Sequence, residues 1–214
     1  MVYNKSLGYY RALPSQLPIL ADKTYFITVS TPDGRKVNAS TSVPSDIAIK
    51  EVKIDSTKTT DIQRGTGATN TEYSVKVIWQ DRAGEVNVYR GISIFDFLYQ
   101  LPDPNNAKKT ILTPVYSVLY LRTIDDKGTD GQLFSLSRTF QPNNIANPQG
   151  KQIRLNKIKI GLFQTDISYY NYHISLRKQR ENNNPFAEPV LLYTNINGGF
   201  GCFGAYNATW QETK

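Results

Sequence analysis

The residue types that most often carry catalysis are scarce in this chain of 214 residues, which has one histidine, His173, and one cysteine, Cys202. A nucleophilic triad needs a base and an orienting group around its nucleophile, and a zinc site needs several nitrogen or sulfur ligands. His173 lies inside a helical pattern beside Tyr172, where a locally packed histidine is the better interpretation. No carboxylate spacing suggests a hydrolytic pair. The sequence therefore predicts no catalytic residue, no metal ligand and no cofactor.

Two short motifs resemble ligand-binding loops without meeting the required pattern. Asp125–Gly131 begins like a calcium loop, but Gly128 stands where an oxygen ligand is needed and Ser137 where the closing glutamate belongs. Gly198–Gly201 lacks the strand–glycine–helix order and the following lysine of a phosphate loop. We predict a hairpin turn at the first motif. At the second, we predict glycines that allow positive φ and close backbone approach.

Tyrosines offer the main candidate contact surface. The chain holds 14 of them, and Tyr169, Tyr170 and Tyr172 together cover more than one face of a helix. Tyrosine supplies a large contact area and is enriched at the energetic centres of protein interfaces. It is also often half-buried with its hydroxyl group outward. Two interpretations therefore stay open: Tyr169 and Tyr172 bind a partner, or they close the core of the domain.

The net charge of +7 raises the question of nucleic acid. The basic residues are scattered, with the densest run at Arg177, Lys178 and Arg180, and no RNA-binding motif accompanies them. We therefore expect no nucleic-acid partner, and the charge suits solubility, anionic headgroups or an acidic partner. No long apolar run and no signal-peptide core follow Met1, so we expect a soluble chain without a targeting segment.

Strand alternation dominates the N-terminal half of the chain. Residues 24–30 and 36–41 alternate in polarity around a Pro-Asp-Gly turn and predict a hairpin. A change of parity between residues 49 and 52 predicts a β-bulge. The cleanest alternation runs from Tyr73 to Trp79, and it predicts a central strand with both aromatic side chains in the core.

One later segment breaks the β pattern. Between about residues 168 and 181, Tyr169, Tyr172 and Leu176 recur at helical spacing. Asp166 and its neighbours can cap the start of this helix, and the basic run suits the negative end of the helix dipole.

Polar and glycine-rich stretches predict the connections between strands. Residues 56–70 and 97–109 read as loops because they are rich in Thr, Gly, Pro and Asn. A final hairpin is predicted to pair residues 190–194 with 202–209 around the turn at 195–199.

The predicted fold class is therefore mainly β: an antiparallel β-sandwich with one late α-helix. Residues 1–22 show no period and are expected to form an extended lead-in. Residues 23–214 are expected to form the sandwich domain, with a helical insertion at about residues 168–181.

Several motifs in a fixed order carry a family resemblance. They are Asp33–Pro44, Trp79–Asp81 followed by Asn87–Arg90, Tyr170–Leu176, Pro185–Pro189 and Asn195–Gly204. Together the motifs resemble those of a Bacteroidetes family of outer-membrane lipoproteins of unknown function, often encoded beside SusC-like TonB-dependent receptors. Members usually carry a signal peptide with a lipid-attachment cysteine and a further N-terminal β domain, which this sequence does not show. The resemblance implies no catalytic residues.

The resemblance implies a bacterial outer-membrane protein at the cell surface, anchored by a lipid in its full-length form. We expect a non-catalytic accessory or ligand-capture subunit of a TonB-dependent transporter, with a SusC-like receptor as its partner and an unknown ligand. The alternative is a structural or adhesive sandwich domain of a larger envelope assembly. A glycan hydrolase with dispersed carboxylates is the third hypothesis. Tyr169 and Tyr172 are the residues expected to contact the partner.

Overall fold

The fold is known for most of the chain. The computed structural model describes residues 1–60, 69–142, 151–181 and 190–213. These residues form mainly antiparallel sheet with a single α-helix, which confirms the predicted fold class. They cluster into two compact units: residues 1–46 with 165–207, and residues 47–164 with 208–214. Within the described part of the chain, no helix is both long and apolar enough to cross a membrane.

The first unit contains two hairpins and the helix. Strands β1 (Val2–Asn4) and β2 (Tyr9–Arg11) pair antiparallel within the segment expected to be an extended lead-in. Strands β3 (Thr24–Ser30) and β4 (Lys36–Ser42) form the second hairpin, which confirms the prediction for that region. Helix α1 (Ile167–Glu181) matches the predicted helical segment to within a residue at its start.

Local chemistry accounts for the β3–β4 hairpin. Gly34 closes the turn at φ +88°, and its N–H group donates to the Thr31 carbonyl at 3.0 Å. Glycine is favoured there because side chains rarely adopt positive φ. On β4 the inward-facing Ala39 and Thr41 are buried while their neighbours are exposed, as the alternation predicts.

Two antiparallel sheets build the second unit. One has the order β5 (Ile49–Thr60), β6 (Thr69–Gln80), β9 (Leu133–Phe140). The other has the order β11 (Tyr206–Thr213), β10 (Lys151–Thr165), β7 (Val88–Asp103), β8 (Asn106–Asp125). The last residue of β10 and the first two residues of β11 are counted with the first unit.

Inward side chains of both sheets form one hydrophobic core, which makes the unit a sandwich. Trp79 on β6 is fully buried, as predicted, and Tyr73 is half-buried against that core. The rings of Phe95 on β7 and Phe140 on β9 stack with centroids 4.9 Å apart. The core therefore connects the two sheets through aromatic contacts.

The predicted bulge agrees with the structure, whereas the strands extend into both segments that were predicted to be loops. The predicted bulge is confirmed, since the β5–β6 register shifts between Ile49 and Glu51. The predicted loop at 97–109 is wrong: β7 and β8 continue through it, with Gln100 opposite Leu112. Polar residues are tolerated there because this end of the hairpin is largely solvent-exposed. Within the predicted loop at 56–70, β5 reaches Thr60 and β6 begins at Thr69, and residues 61–68 lie outside the described part.

Candidate interaction surface

The start of α1 is fixed by one carboxylate. Asp166 accepts a hydrogen bond from the N–H group of Tyr169 at 2.6 Å, which is a helix N-cap. The same carboxylate accepts from the N–H group of Ala205 at 2.6 Å and from the hydroxyl of Thr41 on β4. Of the predicted caps, Asp166 is therefore the one that acts. It connects the helix to β4 and to the segment before β11, so the helix cannot rotate freely in the first unit.

The structure brings the two predicted contact residues, Tyr169 and Tyr172, to one aromatic cluster. The ring centroid of Tyr169 lies 4.3 Å from that of the exposed His173, and the ring centroid of Tyr172 lies 5.5 Å from it. Tyr206 extends the cluster, with its centroid 6.3 Å from Tyr169. Tyr169 and Tyr172 are half-buried and Tyr206 is exposed. We call these four side chains the α1 aromatic cluster.

Close packing holds Tyr169 in place. A Cβ atom added at Gly204 would approach the Tyr169 Cβ atom to 2.9 Å, which is closer than real contacts allow. Gly204 therefore lets the backbone run directly beneath the tyrosine. This contact explains why Tyr169 is half-buried, and it makes Tyr172 and Tyr206 the cluster members whose rings can be truncated with less disturbance.

A serine of α1 also fixes the segment around Tyr193. The Ser175 hydroxyl donates to the Tyr172 carbonyl at 2.8 Å and accepts from the N–H group of Tyr193 at 3.0 Å. The Tyr193 hydroxyl lies 3.3 Å from the Ser168 hydroxyl. Residues 190–194 thus run along α1 through side-chain hydrogen bonds.

The predicted final hairpin is wrong. Residues 190–194 form no strand, and β11 pairs with β10 instead. The glycine-rich segment is closed by Asn195, whose Nδ2 group donates to the Phe203 carbonyl at 2.8 Å and whose Oδ1 atom accepts from the Phe203 N–H group at 2.9 Å. The amide side chain replaces the main-chain pair of a hairpin. Gly198 and Gly201 have positive φ, as predicted for this motif.

The single cysteine lies in this loop and is poorly suited to nucleophilic chemistry. Cys202 is half-buried, and burial together with the nearby Asp166 charge raises the pKa of its thiol to about 11. Reactive cysteines have a lowered pKa, since the thiolate is the nucleophile. Cys202 is therefore protonated at neutral pH and behaves as a small packing residue.

An acidic cluster in the second unit could not be foreseen from spacing. Ligand atoms of Asp81, Asp126 and Asp130 lie within 4.8 Å of one another, and the first two residues are buried. Two of the three lie in the motif that resembled a calcium loop, but Asp81 follows a different strand, β6. Carboxylates are the ligands that hard cations prefer, so these are the described residues that could hold one.

Hydrogen bonds account for each of the three carboxylates. Asp81 accepts from the Tyr89 hydroxyl and from the Gly131 N–H group at 2.7 Å. Asp126 accepts from the N–H group of Asn87 at 2.8 Å, and both oxygens of Asp130 accept from the Gly84 N–H group at 3.0 Å. These bonds join the turn after β6 to the turn after β8. We therefore assign the cluster a structural role. The turn at Asp125–Gly131 is not the predicted hairpin turn, because the strands it connects, β8 and β9, pair in different sheets.

Tyr89 shows the electrostatic effect of that cluster. Burial and the Asp81 carboxylate together raise the pKa of the Tyr89 hydroxyl well above its usual range. The hydroxyl is thus held as a neutral donor inside the core.

Comparison with known proteins gives one family. The family model of a domain of unknown function (DUF4249) matches residues 2–212, whereas no curated protein and no solved structure matches the chain. One motif of the resemblance, Pro185–Pro189, lies outside the described residues. Because the match spans nearly the whole sequence, the chain belongs to the DUF4249 family of domains of unknown function.

Proposed function

We propose that this domain is a non-catalytic binding module of the bacterial outer membrane. In this proposal it works at the cell surface as an accessory or ligand-capture subunit of a TonB-dependent transporter, and a lipid anchor holds the full-length protein. A SusC-like receptor is the proposed partner. The observation that carries the proposal is the α1 aromatic cluster, and the sequence resemblance to lipoproteins supports the choice of partner.

The cluster has the chemistry of a protein contact. Tyr172, His173 and Tyr206 offer apolar rings with polar atoms at their edges, which suits an interface that is wet when free and buried when bound. The Asp166 cap and the Gly204 contact hold the helix rigid, so little conformational entropy is lost on binding.

Charge favours an acidic complement. Arg177, Lys178 and Arg180 are exposed at the C-terminal end of α1, and the whole chain carries a net charge of +7. Attraction between this end of the helix and an acidic surface is screened by salt beyond about 10 Å at 0.1 M ionic strength. We therefore expect the association to weaken as ionic strength rises.

Affinity purification tests the proposal. A tagged, lipid-anchored full-length form is recovered from solubilised outer membranes, and copurifying β-barrel proteins are identified by mass spectrometry. We expect a TonB-dependent receptor with the native chain and a loss of about tenfold or more with Tyr172→Ala and Tyr206→Ala combined, since tyrosines at the energetic centre of an interface contribute about 2 kcal/mol.

A matched control shows whether a loss of recovery is specific to the α1 aromatic cluster or follows the removal of any exposed aromatic ring. Phe200 is almost fully exposed outside the cluster, and Phe200→Ala should leave recovery unchanged. If no β-barrel receptor is recovered with any form, the proposed partnership is wrong, and an adhesive or structural role takes its place. If recovery is equal for the double variant and the native chain, the α1 aromatic cluster is not the interface.

A further inference from the structure

The outward face of β8 is apolar where an antiparallel sheet usually presents polar side chains to water. Along this strand Leu119 is buried, whereas side chains at even positions are exposed: Leu112 by 62%, Tyr116 by 61%, and Val118 and Tyr120 by about half. We call these four exposed residues the β8 strip. Contiguous exposed apolar residues of this kind mark interaction sites.

Strand β7 backs the strip and widens it. Ile92 lies opposite Tyr120 and Ile94 opposite Val118, both half-buried on the same face. The guanidinium group of Arg90 lies 5.0 Å from the centre of the Tyr120 ring, a cation–π contact. The surface is therefore a rigid part of the sheet and is bordered by a cation at this end.

The charged residues of β8 on either side of the strip, up to Arg122, are basic, whereas Asp103 on β7 lies opposite Asn106 at one end. From Asn106 to Arg122 the sequence contains no acidic residue, and Lys108, Lys109 and Arg122 are exposed. The carboxylate opposite Tyr116 on β7 is that of Asp96, which is buried and accepts a hydrogen bond from Asn156 Nδ2 at 2.8 Å. An apolar strip with cations at both ends is complementary to a surface that is apolar and anionic.

A second copy of the chain fits this surface poorly. Two strips face to face would bring cations near cations. Addition of a strand at the β8 edge is also hindered. The Tyr120 carbonyl, which points away from β7, already accepts a hydrogen bond from Arg138 Nη1 at 2.6 Å. Pro114 is an even number of residues away, so its nitrogen also faces the free edge, and it has no N–H group to donate. Proline and lysine on an edge strand are typical protections against strand pairing.

We propose that the β8 strip docks onto an anionic lipid surface. Leu112 and Val118 would bury apolar area at the boundary of the acyl chains, and Tyr116 and Tyr120 would place their hydroxyl groups at headgroup level. Lys108, Lys109 and Arg122 would pair with headgroup phosphates while their aliphatic stems cover apolar surface. A lipid surface can cover a linear strip of this kind without a matching shape.

Vesicle binding tests the proposal on the full chain. Cosedimentation is measured with vesicles of phosphatidylcholine alone and of equal parts phosphatidylcholine and phosphatidylglycerol. We expect binding to the anionic vesicles only, weakened by salt. Lys108→Gln and Lys109→Gln should each lower the partition constant about fivefold. Tyr116→Ser with Val118→Ser should lower it about tenfold or more, because buried apolar area is lost.

Matched variants and amide hydrogen exchange define what would overturn the proposal. Phe26→Ser makes the same apolar-to-polar change at a side chain exposed by 81% on β3, and it should leave binding unchanged. Vesicles should slow amide exchange in residues 110–120. The proposal fails if the chain does not bind, if it binds neutral vesicles equally, or if the β8 variants bind like Phe26→Ser. It also fails if a higher protein concentration without vesicles slows amide exchange in β8 to the same extent, which would indicate a contact between protein molecules.

Discussion

The Asn195 side chain forms a two-way hydrogen-bonded pair with the main chain of Phe203, at 2.8 Å to its carbonyl and 2.9 Å from its N–H group. We predict that Asn195→Ala lowers the free energy of unfolding by about 2 kcal/mol, since each lost bond is worth about 1 kcal/mol. Urea denaturation measures the change. Asn195→Asp keeps the acceptor and loses the donor, so its free energy of unfolding should lie between those of the native chain and Asn195→Ala. Equal stability of all three forms would refute the pairing.

The glycines of the same loop should differ in their tolerance of a side chain. Gly198 has φ +82°, and an added Cβ would lie 3.0 Å from the Lys36 carbonyl oxygen. We predict that Gly198→Ala destabilises the chain by about 1–2 kcal/mol, the usual cost of a left-handed residue. Gly199 does not have positive φ, and an added Cβ would lie 3.1 Å from Val37 Cγ1. Gly199→Ala should therefore cost less, and the reverse order in thermal melting would contradict this account.

Trp79 should be a determinant of stability and not of binding. The ring is fully buried and makes an edge contact with Tyr89 at 5.1 Å. Truncation of a buried aromatic residue to alanine costs about 3–5 kcal/mol, so Trp79→Ala should unfold at much lower denaturant concentration. The exposed Phe200 is the control, and Phe200→Ala should change stability by no more than about 0.5 kcal/mol. Native-like stability of Trp79→Ala would place the ring at the surface.

The Tyr89–Asp81 hydrogen bond makes a pH prediction. The pKa of Tyr89 is raised in the folded state by burial and by Asp81, so the folded state holds the hydroxyl proton more tightly than the unfolded state does. The stability from this group is complete below about pH 10, the unfolded pKa, and is lost as pH rises above it. Tyr89→Phe should remove the part of the stability loss above pH 10 that comes from this hydroxyl group. Parallel stability curves for both forms between pH 9 and 11 would disprove the assignment.

Period-two alternation was a reliable guide where one strand face is buried and the other is wet. The β3–β4 hairpin, the bulge after Ile49 and the burial of Trp79 all follow from that pattern. Helix α1 was also predictable, because an acidic cap precedes a helical repeat and basic residues end it.

Features that depend on distant partners were not predictable. The far end of the β7–β8 hairpin looked like a loop because it is solvent-exposed and carries polar residues and prolines, and only pairing with its partner strand makes it β. Asn195 was part of a recognised motif, but its role required knowledge of where Phe203 lies. Asp81 joins Asp126 through the fold alone, since they are 45 positions apart (126 − 81).

Light-induced crosslinking in intact cells tests the central claim, that the α1 aromatic cluster binds an outer-membrane receptor. A photoreactive phenylalanine derivative placed at His173, whose exposed ring contacts both Tyr169 and Tyr172, samples that surface directly. The same group at Phe26, exposed on β3, is the control. We predict a crosslink to a TonB-dependent β-barrel from position 173 and none from position 26. No crosslink from position 173, or the same products from both positions, would contradict the claim.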